Sequence, residues 1–349
     1  MRRVRWLLLL GVAVAGWGCK STEEVIRPAS LSITSGDEQA APAGAVLAPF
    51  VVTLLGSDGR PYDGADVTWA VVGGSGTVAP SVSTTDADGL ASAVLTLGTS
   101  YGVVTVQAST RGVTPRVFSA TSIDPCDYAT SHTLGSTSAG ALSTLDCQLN
   151  DGSYIDFYTV AIGAQGIRID QAAGFDTFLF LFGATGAIVG VDDDGGDGSN
   201  SLIRAILPAG TYDIGANSYA SGVTGAYTIT SSTISSSATG CLEYWVTRGL
   251  QASSQSLSTT DCPASGSYGD VFSIYLAAGQ ALTVRQSSTA IDAYLGLVNA
   301  NNVVVASDDD SGGGTDALFT YTPSSAGIYY IVATSFVTGQ TGAYTLTIQ

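Results

Sequence analysis

Two stretches of this 349-residue chain repeat one another along most of their length. FDTFLFLFGATGAIVGVDDDGGDGSNSLI (175–203) aligns with IDAYLGLVNANNVVVASDDDSGGGTDALF (291–319). Upstream, GSYIDFYTV aligns with GSYGDVFSI, pairing Tyr154 with Tyr268 and Asp156 with Asp270. Downstream, LPAGTYDIGA aligns with SSAGIYYIVA and GAYTIT with GAYTLT, pairing Tyr212 with Tyr329 and Tyr227 with Tyr344. One fold must serve both copies. They are placed at 122–233 and 234–349, with the Ser-rich stretch Ser231 to Ser237 as their joint.

Within each copy apolar residues alternate over short runs. Tyr158, Val160 and Ile162 share one side, as do Phe272, Ile274 and Leu276, and then Leu282 and Val284. Period two with polar partners predicts half-buried strands. TFLFLF breaks the alternation, so that strand is expected to lie centrally, covered on both sides of its sheet. The 43 glycines cluster with Asp and Ser between the apolar runs, as turns do. No helical period runs through three turns after residue 20. Tyr212 and Tyr329 alternate with Ile214 and Ile331 and are expected in the core. Tyr154, Tyr268 and Tyr330 are the aromatic residues expected to offer a binding platform if exposed.

Residues 29–121 form a different module. FVVTLL, DVTWAVV, LASAVLTL and GVVTVQAS are strand-like runs separated by Asp-Gly turns at Gly59, Gly64 and Gly89. Val67, Trp69 and Val71 share one face, and Ala91, Ala93, Leu95 and Leu97 another. The fold class is therefore all-β: an immunoglobulin-like β-sandwich followed by two jelly-roll-like β-sandwich repeats.

The chain opens MRRVRWLLLLGVAVAGWGCK, three arginines before an apolar run and then small residues. That is a secretory signal at 1–18, followed by a linker at 19–28. Its apolar part is short for a membrane span. The net charge of −17 repels phosphates and anionic lipid, which excludes nucleic acid as a partner. Charged residues make up only 12 % of the chain against 45 % hydrophobic, so a folded, exported protein is expected rather than a disordered one.

Of five cysteines, four fall into two pairs, Cys126 with Cys147 and Cys241 with Cys262, each separated by 21 residues. Four cysteines allow three connectivities. The identical spacing inside repeated copies favours the two local links in an oxidising compartment. A zinc site would want histidines, and His132 is the sole one. It is expected as a surface or satisfied loop residue. Cys19 is left over.

Three resemblances follow from these residues. Gly16-Trp17-Gly18-Cys19 resembles a bacterial lipobox, with Gly16 where Leu is usual and Trp17 where a small residue is usual. The resemblance implies that Cys19 becomes the lipidated first residue of a membrane-anchored lipoprotein. Lys20 rather than Asp then implies the outer membrane; the alternative is a secreted protein. DGRPYDGADVTW and TTDADGLASAVLTLGTSYGVVTVQA resemble the bacterial immunoglobulin-like domains of intimin and invasin type, which implies a rigid spacer in a surface adhesin. The two repeats resemble the bacterial pre-peptidase C-terminal domain. The residues that carry this are Asp176-Thr177-Phe178-Leu179, Asp192-Asp193, Ala209-Gly210-Thr211-Tyr212 and Gly225-Ala226-Tyr227. In the second copy they are Asp292-Ala293-Tyr294-Leu295, Asp308-Asp309, Ala326-Gly327-Ile328-Tyr329 and Gly342-Ala343-Tyr344. Such modules accompany secreted hydrolases, some resemble collagen- or polysaccharide-binding domains, and some bind calcium.

The sharpest chemistry lies in two acidic turns. Asp192, Asp193, Asp194 and Asp197 stand in VDDDGGDGSNS, and Asp308, Asp309, Asp310 and Asp316 in SDDDSGGGTDA. Calcium wants several hard oxygens around one point, which a Gly-rich loop allows and a straight strand does not. The competing reading is a soluble turn that guards a sheet edge. Asp176 and Asp292 are expected to cap nearby backbone. No nucleophile elbow accompanies His132, and no catalytic residue is assigned. The functional expectation is a non-enzymatic surface display or adhesion protein binding a glycan, matrix or envelope protein. A structural envelope lipoprotein and a secreted hydrolase accessory protein are the alternatives.

Overall fold

A computed structural model describes residues 25–349 except 252 and 265; the leader and Cys19 lie outside the described residues. Two compact units divide the chain. Most of 25–120 forms one, and 121–349 with the short segments 40–45 and 97–103 forms the other.

The N-terminal unit packs two antiparallel sheets face to face. One holds Pro28–Ser35, Phe50–Gly56, Leu90–Leu97 and Gly76–Ala79, in that order. Strict alternation fills the space between the sheets: Val67 and Trp69 from one, Ala91, Ala93, Leu95 and Leu97 from the other, all buried. Phe50 and Phe118 stack at 4.7 Å and Trp69 closes on Phe118 at 5.8 Å. The indole N–H of Trp69 donates to Ser83 Oγ at 2.8 Å, so its polar edge is satisfied. Gly89 turns the chain at φ 72°, and a Cβ there would meet the Leu54 carbonyl oxygen at 2.5 Å.

The second unit contains two sandwiches of identical strand order. In the middle sandwich one sheet runs Ala129–Ser131, Tyr154–Ile162, Gly210–Ser218, Thr177–Gly183, Ile188–Asp192. The opposing sheet runs Thr137–Leu142, Gly225–Ile234, Gln165–Ala173, Ser201–Leu207. The C-terminal sandwich repeats this as Glu243–Val246, Ser267–Leu276, Gly327–Ser335, Ala293–Asn299, Val304–Asp308 against Ser253–Leu257, Gly342–Ile348, Leu282–Ser287, Ala317–Tyr321. Tyr212 and Tyr329 are buried as expected, their hydroxyls donating to Pro208 O at 3.0 Å and Ser325 O at 3.2 Å.

The joint differs from a Ser-rich linker. Ser231 belongs to the strand Gly225–Ile234, is buried, and bonds His132 Nε2 through its hydroxyl at 2.8 Å. Beyond it, Glu243–Val246 lies parallel to Ser201–Leu207 of the middle sandwich and parallel to Ser267–Leu276 of its own. One sheet therefore runs through both sandwiches. The alternation of this short strand serves two cores at once. Trp245 enters the middle core, while Tyr244 and Val246 enter the C-terminal core, where Ile206 of the middle sandwich joins them.

Both expected disulfides are present, Cys126–Cys147 and Cys241–Cys262. Each core also holds a carboxyl against a tyrosine. The Tyr227 hydroxyl donates to Asp156 Oδ2 at 2.5 Å, and the Tyr158 hydroxyl lies 2.7 Å from that of Tyr227. In the second copy Tyr344 donates to Asp270 Oδ2 at 2.6 Å, and Phe272 stands where Tyr158 does in the first. Burial pushes Asp156 up to about 6 and Asp270 up to about 7, against the pull of the tyrosine hydrogen bonds.

Candidate functional site

The acidic turns follow the strands Ile188–Asp192 and Val304–Asp308. Their first carboxylates brace the turn. Asp192 Oδ2 accepts the Gly195 and Leu202 amides at 2.8 and 2.6 Å. Asp308 Oδ2 accepts those of Ser311 and Leu318 at 3.0 and 2.8 Å. Burial raises the pKa of Asp192. At Asp308 burial works the same way, but hydrogen bonds from Leu318 and Ser311 outweigh it and hold the carboxyl below its usual range.

The outlying acids have partners of their own. Asp316 Oδ2 pairs with Arg285 Nη2 at 2.9 Å while its Oδ1 accepts the Ser288 amide at 3.0 Å. Asn200 does the corresponding work in the middle sandwich, accepting the Ala173 amide at 3.1 Å. Asp197 is exposed, and the Arg168 guanidinium pairs with Asp170 at 2.6 Å, a contact that, with the Asp197 charge in a lesser part, raises the Arg168 pKa. So the four acids of each turn do not gather on one point.

A different trio does. One oxygen each from Asp176, Asp193 and Asp194 lie within 4.8 Å of one another. Asp176 was expected to cap backbone; instead its carboxylate faces the turn, while its carbonyl accepts the Tyr219 amide at 3.0 Å. Asp193 Oδ1 is shielded from solvent with no hydrogen-bond partner. Burial, then the charges of Asp194 and Asp176, raise the Asp193 pKa. Three hard oxygens with an orphaned lone pair are a donor set that suits calcium. In the C-terminal sandwich Asp309 Oδ1 accepts the Asp310 amide at 3.0 Å, and among the described residues no second trio approaches so closely.

The second feature is aromatic, and it corrects the reading of TFLFLF. Thr177–Gly183 does alternate: Leu179 and Leu181 are buried inside, and Phe178, Phe180 and Phe182 stand half-buried on the outer face. Among the described residues no layer of strands covers this outer face. The rings cover one another, with centroids 4.8 Å apart for Phe178–Phe180 and 5.5 Å for the stacked Phe180–Phe182. Tyr219 joins at 6.5 Å and is 61 % exposed. The equivalent pair in the C-terminal sandwich is Tyr294 with Phe336, at 6.4 Å, with Phe336 59 % exposed. The Phe336 amide donates to the Asp292 carbonyl at 2.8 Å, just as Tyr219 does to Asp176. Each exposed ring is thus pinned beside an acidic turn. Tyr154, Tyr268 and Tyr330, the expected platform, are only partly exposed, and Tyr154 packs against the middle core. The missed rings could have been found from the alternation of Phe178, Phe180 and Phe182 and from the aligned pairs Phe178–Tyr294 and Tyr219–Phe336.

His132 is buried, with Nδ1 and Nε2 each 2.8 Å from a serine hydroxyl, Ser138 and Ser231. Burial lowers its pKa. It is a satisfied core residue.

Residues 268–335 match the family model of the bacterial pre-peptidase C-terminal domain. The chain is also similar to several solved structures. One is the pre-peptidase C-terminal domain of collagenase from Bacillus anthracis, at 18 % identity, covering 30 % of this chain and 94 % of that one, TM-score 0.24. Another is the D0-D1 domain of intimin, at 14 % identity, covering 58 % and 93 %, TM-score 0.24. A third is invasin, described as a bacterial integrin-binding protein, at 17 % identity, covering 91 % and 56 %, TM-score 0.23. Among curated proteins, none matches this sequence.

Proposed function

We propose that this chain is a non-enzymatic display or adhesion protein of the bacterial cell surface. In this reading the N-terminal immunoglobulin-like sandwich is a spacer. Residues 122–233 and 234–349 are two jelly-roll-like modules of pre-peptidase C-terminal type, and the family match over 268–335 supports the second of them. They present binding faces to a glycan, a matrix or an envelope protein. The observation that carries the reading is the exposed ring at the same place on both sandwiches, Tyr219 and Phe336, each beside an acidic turn. Tyr and Phe are enriched at the centres of interfaces relative to the rest of a protein surface. Lipidation of Cys19 anchors the chain in the outer membrane, and calcium sits at Asp176, Asp193 and Asp194.

The test is a glycan and matrix-protein array probed with the full chain and with Tyr219→Ser/Phe336→Ser. Binding that the double variant loses supports the reading. Uniform silence would leave a structural envelope role. Mass spectrometry of the mature N-terminus checks Cys19: an unmodified terminus elsewhere removes the lipid anchor.

A further inference from the structure

The two sandwiches differ in one place that matters on their outer faces. In the middle sandwich Phe180 stands opposite Gly215 across the strand pair, and its ring fills the face between Phe178 and Phe182. In the C-terminal sandwich the corresponding pair is Gly296 opposite Val332. Phe182 is replaced by Val298, and Phe157 by Val271. The place of an aromatic ring is left open. What remains is a groove of about 460 Å³ lined by Tyr294, Gly296, Val298, Val304, Val332 and Phe336. Val304 at its wall is 60 % exposed.

Three of the groove's hydroxyls donate to backbone carbonyls of the same sandwich. Thr334 Oγ1 donates to the Tyr268 carbonyl at 2.7 Å and Ser335 Oγ to the Val337 carbonyl at 2.7 Å. Ser267 Oγ accepts the Gly339 amide at 3.2 Å and lies 3.3 Å from Val337 O. Most of the remaining lining is apolar or aromatic, which suits an apolar side chain. An apolar side chain needs only the shape. The second acidic turn follows the strand that carries Val304: Asp308 pairs with Leu295, the neighbour of Tyr294, Asp292 comes two residues before Tyr294, and Asp310 feels the charges of Asp309 and Asp292. The whole chain carries −17, which attracts a cationic partner and repels an anionic lipid or glycan.

We infer that the groove over Gly296 receives the apolar side chain of a basic polypeptide segment, with Tyr294 and Phe336 flanking that side chain and Asp292, Asp309 and Asp310 meeting its cationic neighbours. This rests on the adhesion reading above and narrows its partner to protein. The ring that Phe180 supplies internally in the middle sandwich is supplied here by the partner.

The test uses the full chain over dense layers of three immobilised peptides: Gly-Lys-Phe-Lys-Gly, Gly-Glu-Phe-Glu-Gly and Gly-Lys-Ala-Lys-Gly. The first is expected to bind, the other two at least about tenfold more weakly, as for loss of a central anchor or of charge complementarity. Added salt weakens the first interaction. Phe336→Ser, at an exposed position with little bearing on folding, is expected to weaken it by about tenfold. Gly296→Phe/Val332→Gly rebuilds the filled face of the middle sandwich and is expected to do the same. Val72→Ser, at an exposed position of the N-terminal unit, serves as the control that leaves it unchanged. Equal binding of the acidic peptide, or wild-type binding by Phe336→Ser, overturns the inference. A matrix or glycan signal on the array that survives Phe336→Ser overturns the groove and leaves the adhesion reading standing. Peptide binding with a silent array keeps the groove and removes the array's ligands as partners.

Discussion

The indole of Trp245 rests on Gly190: a Cβ built at Gly190 would come within 2.8 Å of the ring. The contact joins two sandwiches, because Trp245 is carried by the strand that opens the C-terminal one and is buried in the core of the middle one. Trp245→Ala is expected to cost about 3–5 kcal/mol in the middle core. Calorimetry of the wild type should show the two sandwiches melting together, and the variant should separate them. Gly190→Val should act in the same direction by displacing the ring. A variant that keeps one shared transition at the wild-type temperature contradicts this coupling.

The buried Asp–Tyr pairs predict an alkaline loss of stability. Asp156 and Asp270 rise from 3.8 to about 6 and about 7 in the folded chain. Each therefore holds its proton more tightly when folded, so its contribution is fully present below pH 3.8 and disappears as pH climbs through 6 to 7. Asp308 and Asp316, held below their usual range, act oppositely and lose their contribution as pH falls. Melting temperature should peak in mildly acidic buffer and drop toward pH 8. Asp270→Asn keeps an oxygen for Tyr344 and should remove much of that drop, on the order of 2–4 kcal/mol at pH 8. Parallel pH profiles for wild type and variant contradict the assignment.

Reduction should tell on the joint as well as on the sandwiches. The loop closed by Cys241–Cys262 contains the strand Glu243–Val246, and that closed by Cys126–Cys147 contains Ala129–Ser131. Each link is expected to contribute about 3 kcal/mol through the unfolded chain. Urea melts of Cys241→Ser/Cys262→Ser should show destabilisation of both sandwiches. Cys126→Ser/Cys147→Ser should affect the middle one first.

Calcium should raise the melting temperature of the wild type and do so less for Asp193→Asn or Asp176→Asn. A hundredfold excess over the dissociation constant corresponds to about 2.7 kcal/mol. Asp197→Asn, at an exposed residue outside the trio, should respond as the wild type does. Identical melting with calcium and with chelator sinks the ion site.

Much of the fold was legible because period-two runs and repeated spacings are local properties. Tyr158, Val160 and Ile162 alternate in the chain and in the core alike. The cysteine spacing pointed to both disulfides. Three things were not local. EYWV is too short for a pattern to reveal that it serves two cores. TFLFLF reads as covered on both sides because nothing in a single strand tells that phenylalanines will shelter one another on an outer face. Asp176 joins Asp193 and Asp194 only through the pairing of distant strands, which no run of neighbouring residues displays.

The strand Glu243–Val246 has a mechanical meaning as well. It is held between Ala205–Ile206 on one side and Val271–Ser273 on the other, both parallel to it. Under tension along the chain it cannot peel away bond by bond. It must slide against both neighbours, loading their hydrogen bonds together in shear. A pull along this strand would therefore meet two ladders loaded at once, where a strand with one neighbour offers a single ladder.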